Sequence, residues 1–371
     1  MIKILVLGGG KVGSAIAFDL AKNHMVTVAD VNELTLNNLS KKIKVKTICT
    51  DIAASNKLKN IIEPYDLIIS AVPGFMGYKT LQTIIECKKN VVDISFSPED
   101  PLTLNELAIK NNVIALVDLG VAPGLGNIIF GHYNELMKID SYECYVGGLP
   151  KKKIPPFQYK APFSPIDVIE EYTRPARLFE NHKIITKDPL TEIEIIQFDT
   201  NEDLEAFNTD GLRTLLKTMS HVPYMKEKTL RYPGHAKNIQ LLKDIGLFST
   251  ETTTLHDLNF KPIDIIADIL KKDWKLEEGE EEFTVMRIIM KNSKKCVQID
   301  LYDEFDKKTQ ISSMARTTGY TCTAGANLII NNLFNKKGVY PPELLGANKN
   351  CYNYITQYLK ERNINLHIKQ S

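Results

Sequence analysis

Three glycines near the start of the chain have the spacing that dinucleotide-binding turns require. Gly8, Gly10 and Gly13 follow the pattern G-x-G-x-x-G, after the apolar run 2–7 and before a helix-like stretch. The first glycine permits a tight turn, the second lets the backbone approach a pyrophosphate, and the third allows close packing of helix on strand. The N-terminus of the helix then offers unpaired N–H groups to the phosphates. This order of strand, turn and helix predicts a dinucleotide site.

A carboxylate at the end of the next predicted strand bears on the choice of cofactor. The strand 25–30 ends in Asp30, 17 positions after Gly13. A carboxylate there can accept hydrogen bonds from the adenosine ribose hydroxyls, and it repels the extra phosphate of NADP. Neither Val31 nor Asn32 brings a compensating arginine, so NAD is the predicted cofactor. In the alternative interpretation, Asp30 only caps a helix that begins near Asn32.

Two further aspartates are candidates for proton transfer. Oxidation of an amine by a nicotinamide cofactor requires a group that holds and deprotonates the ammonium. Asp93 and Asp118 each end a predicted strand, and two neighbouring carboxylates raise one another's pKa toward neutrality. Both are predicted to be catalytic. The alternative is that Asp118 caps the turn 120–124 and that Asp93 bonds local backbone.

Arginines are candidates for holding the carboxylate of an amino-acid substrate. An arginine can match a carboxylate with two parallel, charge-assisted hydrogen bonds. Arg174, Arg213 and Arg231 are the candidates, although most arginines lie at protein surfaces. Tyr159 and Lys160 precede a proline-containing loop and are predicted to bind substrate, while a solvated lysine is the competing interpretation of Lys160.

One histidine stands out because of its position in a predicted helix. His235 follows Pro233 and Gly234 at a helix start, where the positive helix end disfavours the cationic imidazole. It is a third catalytic candidate, as a neutral base or hydrogen-bond partner. In the alternative interpretation it is a first-turn residue that bonds a local carbonyl.

The first 120 residues alternate between apolar strands and amphipathic helices. Strands are predicted at residues 2–7, 25–30, 43–49, 66–70, 90–95 and 113–118. This alternation predicts an α/β fold with a Rossmann-type, doubly wound parallel sheet, whose ligands lie beyond the carboxyl ends of the strands. A second glycine-rich turn at Gly124 brings further N–H groups there. The predicted cofactor-binding residues are Gly8, Gly10, Lys11, Val12, Gly13, Asp30, Asp51, Val72, Pro73 and Gly124.

The alternation stops after residue 124. Strand-like runs at 141–146, 192–198, 283–290 and 296–302 alternate with helical segments at 204–219, 235–245 and 262–271, and 310–316 is a further candidate strand. A helix at 321–333 has a face of small residues and can pack closely on the first domain. The predicted domains are 1–124 plus 316–371, which binds NAD, and 125–315, an α+β domain for substrate binding and dimerisation.

Composition is typical of soluble globular proteins. The chain has 371 residues, 43% hydrophobic and 25% charged, with a net charge of +1, so nothing indicates nucleic acid as a partner. No apolar run approaches the ~20 residues that span a bilayer, and the N-terminus is predicted to be a core strand and no signal peptide. The six cysteines lack C-x-x-C spacing, which favours a cytoplasmic protein without a metal site.

Several segments together resemble the saccharopine dehydrogenase-like enzymes, and within them the lysine 6-dehydrogenases. They are VLGGGKVG (6–13), VDIS (92–95), DLGVAPGLGN (118–127), YVGGLP (145–150), YK…SPIDVIEEYTRPAR (159–177), LRYPGHA (230–236) and GVYPPE (338–343). The pattern around Asp118 is also similar to that of diaminopimelate dehydrogenases, where aspartates at these two strand ends grip an amino group. The chain departs from the family at Leu119, where Ala is frequent, and at 161–165, where Ser-Trp-Ser-Pro is frequent.

The resemblance implies an NAD(P)-dependent oxidoreductase that acts at a carbon–nitrogen bond of an amino acid. The leading interpretation is oxidative deamination of L-lysine at its 6-amino group. A saccharopine-type dehydrogenase is the alternative within the same chemistry, and its substrate carries two further carboxylates. Outside dehydrogenase chemistry, the chain could be a transferase of the homospermidine synthase type, which keeps NAD bound, or a dinucleotide sensor without turnover. The predicted partners are a small amino-acid substrate and a second copy of the chain in a homodimer.

Overall fold

The computed structural model describes residues 1–53, 55–198, 203–256 and 258–371. The strands in these ranges are β1 (Lys3–Leu7), β2 (Met25–Asp30), β3 (Lys46–Cys49), β4 (Leu67–Ser70), β5 (Asn90–Asp93), β6 (Ile114–Leu116), β7 (Ser141–Pro150), β8 (Ala176–Glu180), β9 (Lys183–Lys187), β10 (Glu194–Gln197), β11 (Asp203–Asn208), β12 (Tyr224–Arg231), β13 (Thr253–Leu255), β14 (Leu258–Phe260), β15 (Glu282–Lys291), β16 (Cys296–Glu304), β17 (Gly338–Tyr340) and β18 (Leu366–Gln370).

The α-helices in the same ranges are α1 (Lys11–Leu20), α2 (Glu33–Lys42), α3 (Ser55–Ile62), α4 (Gly74–Glu86), α5 (Asn105–Lys110), α6 (Leu125–Leu136), α7 (Pro165–Thr173), α8 (Leu215–Thr218), α9 (His235–Asp244), α10 (Pro262–Asp273), α11 (Ser313–Ile330), α12 (Pro342–Ala347) and α13 (Lys349–Lys360). The elements form two compact units. Unit 1 comprises Met1–Ile139, Arg213–Thr218 and Met314–Asn365. Unit 2 comprises Asp140–Leu212, Met219–Ser313 and Leu366–Ser371.

Unit 1 is built on a parallel sheet in the order β17-β6-β5-β4-β1-β2-β3. The residues of β1 from Ile4 to Leu7 are completely buried, because helices pack on both faces of a parallel sheet. The order of strands reverses between β1 and β4, whose register pairs Ile4 with Leu67. In such sheets the crevice at the reversal, beyond the carboxyl ends of the strands, is where ligands bind.

Unit 2 is built on a mixed sheet in the order β10-β11-β12-β7-β15-β16-β18, with β8 paired to β12 and β9 to β8. Most neighbours are antiparallel, and β7 and β12 are parallel. An aromatic core that includes Tyr172 and Trp274 is buried in this unit. The predicted fold class, a Rossmann-type parallel sheet with a second α+β unit, is confirmed.

The two units depart from the predicted domain boundaries at several places, among them the segment Arg213–Thr218, which lies in unit 1 although it falls within the predicted domain 125–315. Helix α6 lies in unit 1, because a Cβ atom on its Gly131 would be 2.0 Å from the carbonyl oxygen of Glu343 in α12, so the two helices touch along their backbones. Strand β18 lies in unit 2, because it pairs with β16 and extends that sheet. Helix α11 belongs to unit 1, where Gly319 faces Ala15 and Ile16 of α1.

The helix predicted at 204–219 is wrong. The structure has strand β11 there, followed by a turn and the short helix α8. Strand β11 pairs with β10 and β12, and this pairing outweighs the helix propensity of its leucine, glutamate and alanine residues. The candidate strand at 310–316 is also wrong, because α11 begins at Ser313, whose backbone N–H donates to the carboxylate of Glu282.

Candidate functional site

The glycine turn between β1 and α1 has the geometry of a phosphate-binding turn. Gly8 has a φ of +99°, in the region that favours glycine. A Cβ atom on Gly13 would lie 1.9 Å from the carbonyl oxygen of Gly8, so only glycine permits this approach. No side chain caps the first turn of α1 at Gly10, and a Cβ atom there would meet nothing within 4 Å. The first N–H groups of α1 and the open space at Gly10 therefore fit a pyrophosphate, and exposed Lys11 and half-buried Val12 form the first turn.

Asp30 joins the end of β2 to the glycine turn. Its Oδ2 accepts a hydrogen bond from the backbone N–H of Gly9 at 2.6 Å, and its Oδ1 accepts one from Asn32 at 2.8 Å. The side chain of Asn32, not that of Asp30, caps α2 by accepting from Thr35. Each carboxylate oxygen has a second lone pair, so Asp30 keeps acceptor capacity for ribose hydroxyls.

The other predicted cofactor residues follow neighbouring strands of the same sheet. Asp51 is exposed after β3 and accepts a hydrogen bond from the backbone N–H of Ala53. Val72 is buried after β4, and Pro73 is the N-cap of α4. Gly124 is the N-cap of α6 and has a φ of +139°. The structure thus brings these residues to the carboxyl-end edge of the unit 1 sheet, with Asp51 the most solvent-exposed.

Asp93 is a buried carboxylate whose proton affinity is strongly changed. It is the last residue of β5, only 3% exposed, and the hydroxyl of Ser95 lies 2.9 and 2.8 Å from its two oxygens. Burial raises the pKa of the Asp93 carboxyl to about 7, and the hydroxyls of Ser70 and Ser95 oppose this rise. Asp118 raises the pKa further, whereas Arg213 lowers it. Asp93 therefore changes its charge near neutral pH, as a general base requires.

Asp118 and Arg213 form a buried ion pair beside this carboxylate, within unit 1. The Nε atom of Arg213 donates to Oδ2 of Asp118 at 2.9 Å, and the side chains are 4% and 1% exposed. The Nη1 atom of Arg213 donates to the carbonyl oxygen of Ser97, and the guanidinium lies over the ring of Phe96. Both Asp118 and Arg213 have positive φ values, +53° and +46°. Such strained backbones cluster at functional sites, where the surrounding structure enforces them.

His235 lies in unit 2 in a closed aromatic environment. It is 1% exposed, its Nδ1 atom is 2.9 Å from the carbonyl oxygen of Phe157, and its Nε2 atom is 2.9 Å from the hydroxyl of Tyr172. Burial and the nearby Arg231 guanidinium lower the pKa of the His235 imidazole to about 3. The ring is therefore neutral at physiological pH, and both ring nitrogens are engaged inside unit 2.

The predicted substrate-binding residues of unit 2 also have partners within that unit. Arg231 pairs with Glu171 at 2.7 Å and lies 4.3 Å from the ring centre of Tyr159. Tyr159 is 3% exposed, and its hydroxyl has no hydrogen-bond partner among the described residues. Arg174 pairs with a glutamate one turn earlier on α7, and Lys160 donates to the carbonyl oxygen of Asp273.

Sequence reasoning missed the residues that set the properties of Asp93. Ser95 follows the strand inside the segment VDIS, and its hydroxyl contacts both carboxylate oxygens. The spacing D-x-S was the available signal, because a hydroxyl two residues beyond a strand end can return to the same carboxylate. Glu343, in the segment GVYPPE, was likewise assigned no role from sequence.

The described part of the structure contains neither a cluster of potential metal ligands nor a helix that could cross a bilayer. Within these ranges, His, Cys, Asp and Glu side chains form no group of three that could hold a metal ion. None of the described helices is long and apolar enough to span a membrane.

Comparisons with known proteins agree with this arrangement. The saccharopine dehydrogenase NADP binding domain matches residues 4–116, and the saccharopine dehydrogenase C-terminal domain matches residues 120–364. The mitochondrial alpha-aminoadipic semialdehyde synthase of Rattus norvegicus is 26% identical over a region that covers 67% of this chain and 29% of that protein. This chain thus spans under a third of the length of that relative.

Two further matches extend over nearly the whole chain. The saccharopine dehydrogenase [NADP(+), L-glutamate-forming] of Schizosaccharomyces pombe is 22% identical, with 92% of this chain and 94% of that protein covered. The structure of apo saccharopine dehydrogenase (L-Glu forming) from Saccharomyces cerevisiae has a TM-score of 0.79 at 20% identity and covers 100% of both chains, which shows the same fold. With family models that together match residues 4–116 and 120–364, the chain belongs to the saccharopine dehydrogenase family.

Proposed function

We propose that this protein is a pyridine-nucleotide-dependent oxidoreductase that oxidises the carbon–nitrogen bond of an amino acid. One observation carries the proposal: unit 1 combines a phosphate-binding glycine turn with Asp93, a buried carboxyl whose pKa is about 7. An amine must lose a proton before its carbon can give up a hydride, and a base that titrates near 7 is suited to that step. The bound pyridine nucleotide would accept the hydride.

In the proposed mechanism, Asp93 takes a proton from the substrate ammonium. Asp118 accepts a second N–H hydrogen bond and orients the nitrogen, and Arg213 holds Asp118 through its Nε atom. This role replaces the predicted carboxylate clamp for Arg213, because two of its donors already bind Asp118 and the carbonyl oxygen of Ser97. The N–H groups at the start of α1 orient the pyrophosphate.

We propose L-lysine, oxidised at its 6-amino group, as the substrate. Each arginine that was a candidate clamp has a carboxylate partner inside the protein: Arg174 pairs with Glu170, Arg213 with Asp118 and Arg231 with Glu171. A substrate with three carboxylates needs several cations that are not already neutralised. This charge balance favours an amino acid with one carboxylate over saccharopine. The names of the relatives favour the alternative, a saccharopine dehydrogenase, so the assay must include both substrates.

The deciding experiment follows the absorbance of the reduced nicotinamide in separate reactions with lysine alone, with saccharopine alone and with diamines. Reduction with lysine alone supports the proposal, and the release of ammonia checks its stoichiometry. Reduction only with saccharopine would establish the alternative. Tight co-purification of the cofactor without net reduction of any substrate would instead favour a transferase or a sensor.

We further propose NAD as the cofactor, because a carboxylate at Asp30 repels a 2′-phosphate. The family name refers to NADP, so this residue provides a direct test. Asp30→Ala should narrow the preference for NAD over NADP by about 10- to 100-fold, since hydrogen bonds to a charged group contribute about 1.5–3 kcal/mol. Asp66→Ala is the matched control, because Asp66 also accepts a backbone N–H, at the start of β1. A wild-type preference for NADP in initial-rate assays would refute the assignment.

We also propose a homodimer assembled through unit 2. The sheet of that unit has β10 and β18 as its edges, and Ile195 and Ile368 on these strands are 53% and 50% exposed. Exposed edge strands with apolar side chains can pair with another chain. A monomeric mass in light scattering would contradict this proposal.

A further inference from the structure

Glu343 is a fully buried carboxylate in unit 1 that the proposed mechanism does not use. It lies in the first turn of α12 and is 0% exposed. Its Oε1 accepts a hydrogen bond from the hydroxyl of Thr218 at 2.6 Å, and its Oε2 accepts one from Nδ2 of Asn127 at 3.3 Å. Burial raises the pKa of Glu343, and these donors oppose the rise.

The donors to Glu343 come from the two segments that carry the buried ion pair. Thr218 ends the short helix α8, which follows just beyond Arg213. Asn127 lies in the first turn of α6, where its Oδ1 accepts from the backbone N–H of Gly124 at 3.4 Å. Gly124 closes the turn that begins after Asp118. The side-chain amide of Asn127 links this turn to Glu343, because it accepts from the Gly124 N–H and donates to the Glu343 carboxylate.

The ion pair needs such support because the backbone is strained at both of its residues. Asp118 and Arg213 both have left-handed φ values, and neither is glycine. Residues in this region keep that conformation only when their surroundings enforce it. The two residues are far apart in sequence, so no local hydrogen-bond pattern fixes one relative to the other. Glu343 is bonded to both segments at once, through a different carboxylate oxygen to each.

We propose that Glu343 is a positioning residue that fixes Asp118 and Arg213 in their productive geometry by holding the turn at Gly124 and the segment 213–218. This role rests on the proposed function, since it acts through the ion pair beside Asp93. Glu343 itself touches neither substrate nor cofactor in this proposal. Its loss should therefore lower kcat for the amine substrate and leave cofactor affinity unchanged.

The test compares Glu343→Gln with a control at Asp19. The amide keeps the shape but replaces one acceptor oxygen with an N–H donor, so Thr218 and Asn127 can no longer each donate to an oxygen of their own. We expect kcat/KM for the amine to fall roughly 10- to 100-fold while cofactor Kd, measured by fluorescence, stays within about twofold. Asp19→Asn is the matched control, because Asp19 is also a buried carboxylate of unit 1 but binds Thr323, Tyr358 and Arg362. It should lower Tm without changing kcat/KM.

A double-mutant cycle separates positioning from general destabilisation. Arg213→Lys should reduce kcat/KM, and in that background Glu343→Gln should add a smaller loss than it causes alone, since coupled residues are not additive. Full additivity, or an equal loss of kcat/KM in Asp19→Asn, would overturn the positioning role while leaving the proposed function intact. If Glu343→Gln fails to fold, Thr218→Val removes one donor and takes its place. Wild-type activity in Arg213→Lys and Asp118→Asn would reject both the role of Glu343 and the proposed site.

Discussion

Asp93 in unit 1 and His235 in unit 2 are both almost completely buried polar side chains, with 3% and 1% exposure. Burial disfavours the charged form of each group, and it therefore moves their pKa values in opposite directions. The pKa of Asp93 rises to about 7, whereas that of His235 falls to about 3. The carboxylate thus becomes the group that titrates at physiological pH, and the histidine becomes one that does not.

The neighbours of the two residues strengthen this difference. Asp93 has a hydroxyl donor in Ser95 and a second carboxylate, Asp118, nearby, so a proton can be gained or lost at modest cost. His235 has a carbonyl acceptor at one nitrogen and the hydroxyl of Tyr172 at the other, with the cation of Arg231 nearby. A residue type that usually serves as a base is here a fixed part of a core. The environment, more than the residue type, decides which buried group can exchange protons.

The largest expected effect distinguishes the two residues by catalysis. Asp93→Asn keeps the shape of the side chain but cannot accept the ammonium proton, so kcat should fall by about 10²–10⁴. His235→Gln, measured in parallel at a temperature well below its Tm, should change kcat far less. Steady-state kinetics with the identified amine substrate provides the check. Near-normal kcat/KM in Asp93→Asn would place the proton acceptor elsewhere.

A smaller effect concerns the pH at which activity appears. The proton acceptor must be ionised, so kcat/KM should rise with pH through about 7. The hydroxyl of Ser95 stabilises the ionised carboxylate, and Ser95→Ala should therefore shift this midpoint upward by about one pH unit. Ser97→Ala is the control, because the Ser97 hydroxyl bonds the carbonyl oxygen of Glu99, and its midpoint should stay in place. An unchanged midpoint in Ser95→Ala would show that another group titrates.

A difference between local patterns and long-range contacts explains which parts of the site could be predicted from sequence. The glycine turn, Asp30 and the strand end at Asp93 follow from local patterns, because apolar periodicity identifies a strand and a parallel sheet aligns the strand ends. The partner of Asp118 could not be predicted this way. Arg213 comes from a segment after β11 that returns to unit 1, and the residues 204–219 had favoured a continuous helix. Tertiary strand pairing decided that segment, and propensity carries no information about it.

The pKa of His235 shows a second limit of sequence reasoning. Its place at a helix start suggested a neutral imidazole through the positive helix end, whereas burial and Arg231 are what lower its pKa. The carbonyl that its Nδ1 atom contacts is that of Phe157, 78 residues away in sequence, and not a local one. Nothing local indicated that Tyr172 would engage the other nitrogen, because that residue lies on a different helix, α7. Burial and long-range partners decide whether a histidine can act as a base, and both depend on the complete fold.

The smallest expected effect, and the last test of the comparison, is on stability: His235 should make unit 2 sensitive to acid. In the unfolded chain a histidine binds a proton below about pH 6.5, whereas His235 in the folded protein stays neutral down to about pH 3. The unfolded state therefore binds more protons in this range, and stability falls as pH falls from about 6.5 toward 3. His235→Gln removes this titration, so its Tm should be lower than that of the wild type at pH 7.5 but should decrease less between pH 7.5 and 5. His367→Gln, at an exposed position on β18, should leave that decrease unchanged. A wild-type decrease in His235→Gln, measured by calorimetry, would mean that the imidazole is accessible to protons in the folded state, and the contrast with Asp93 would then fail.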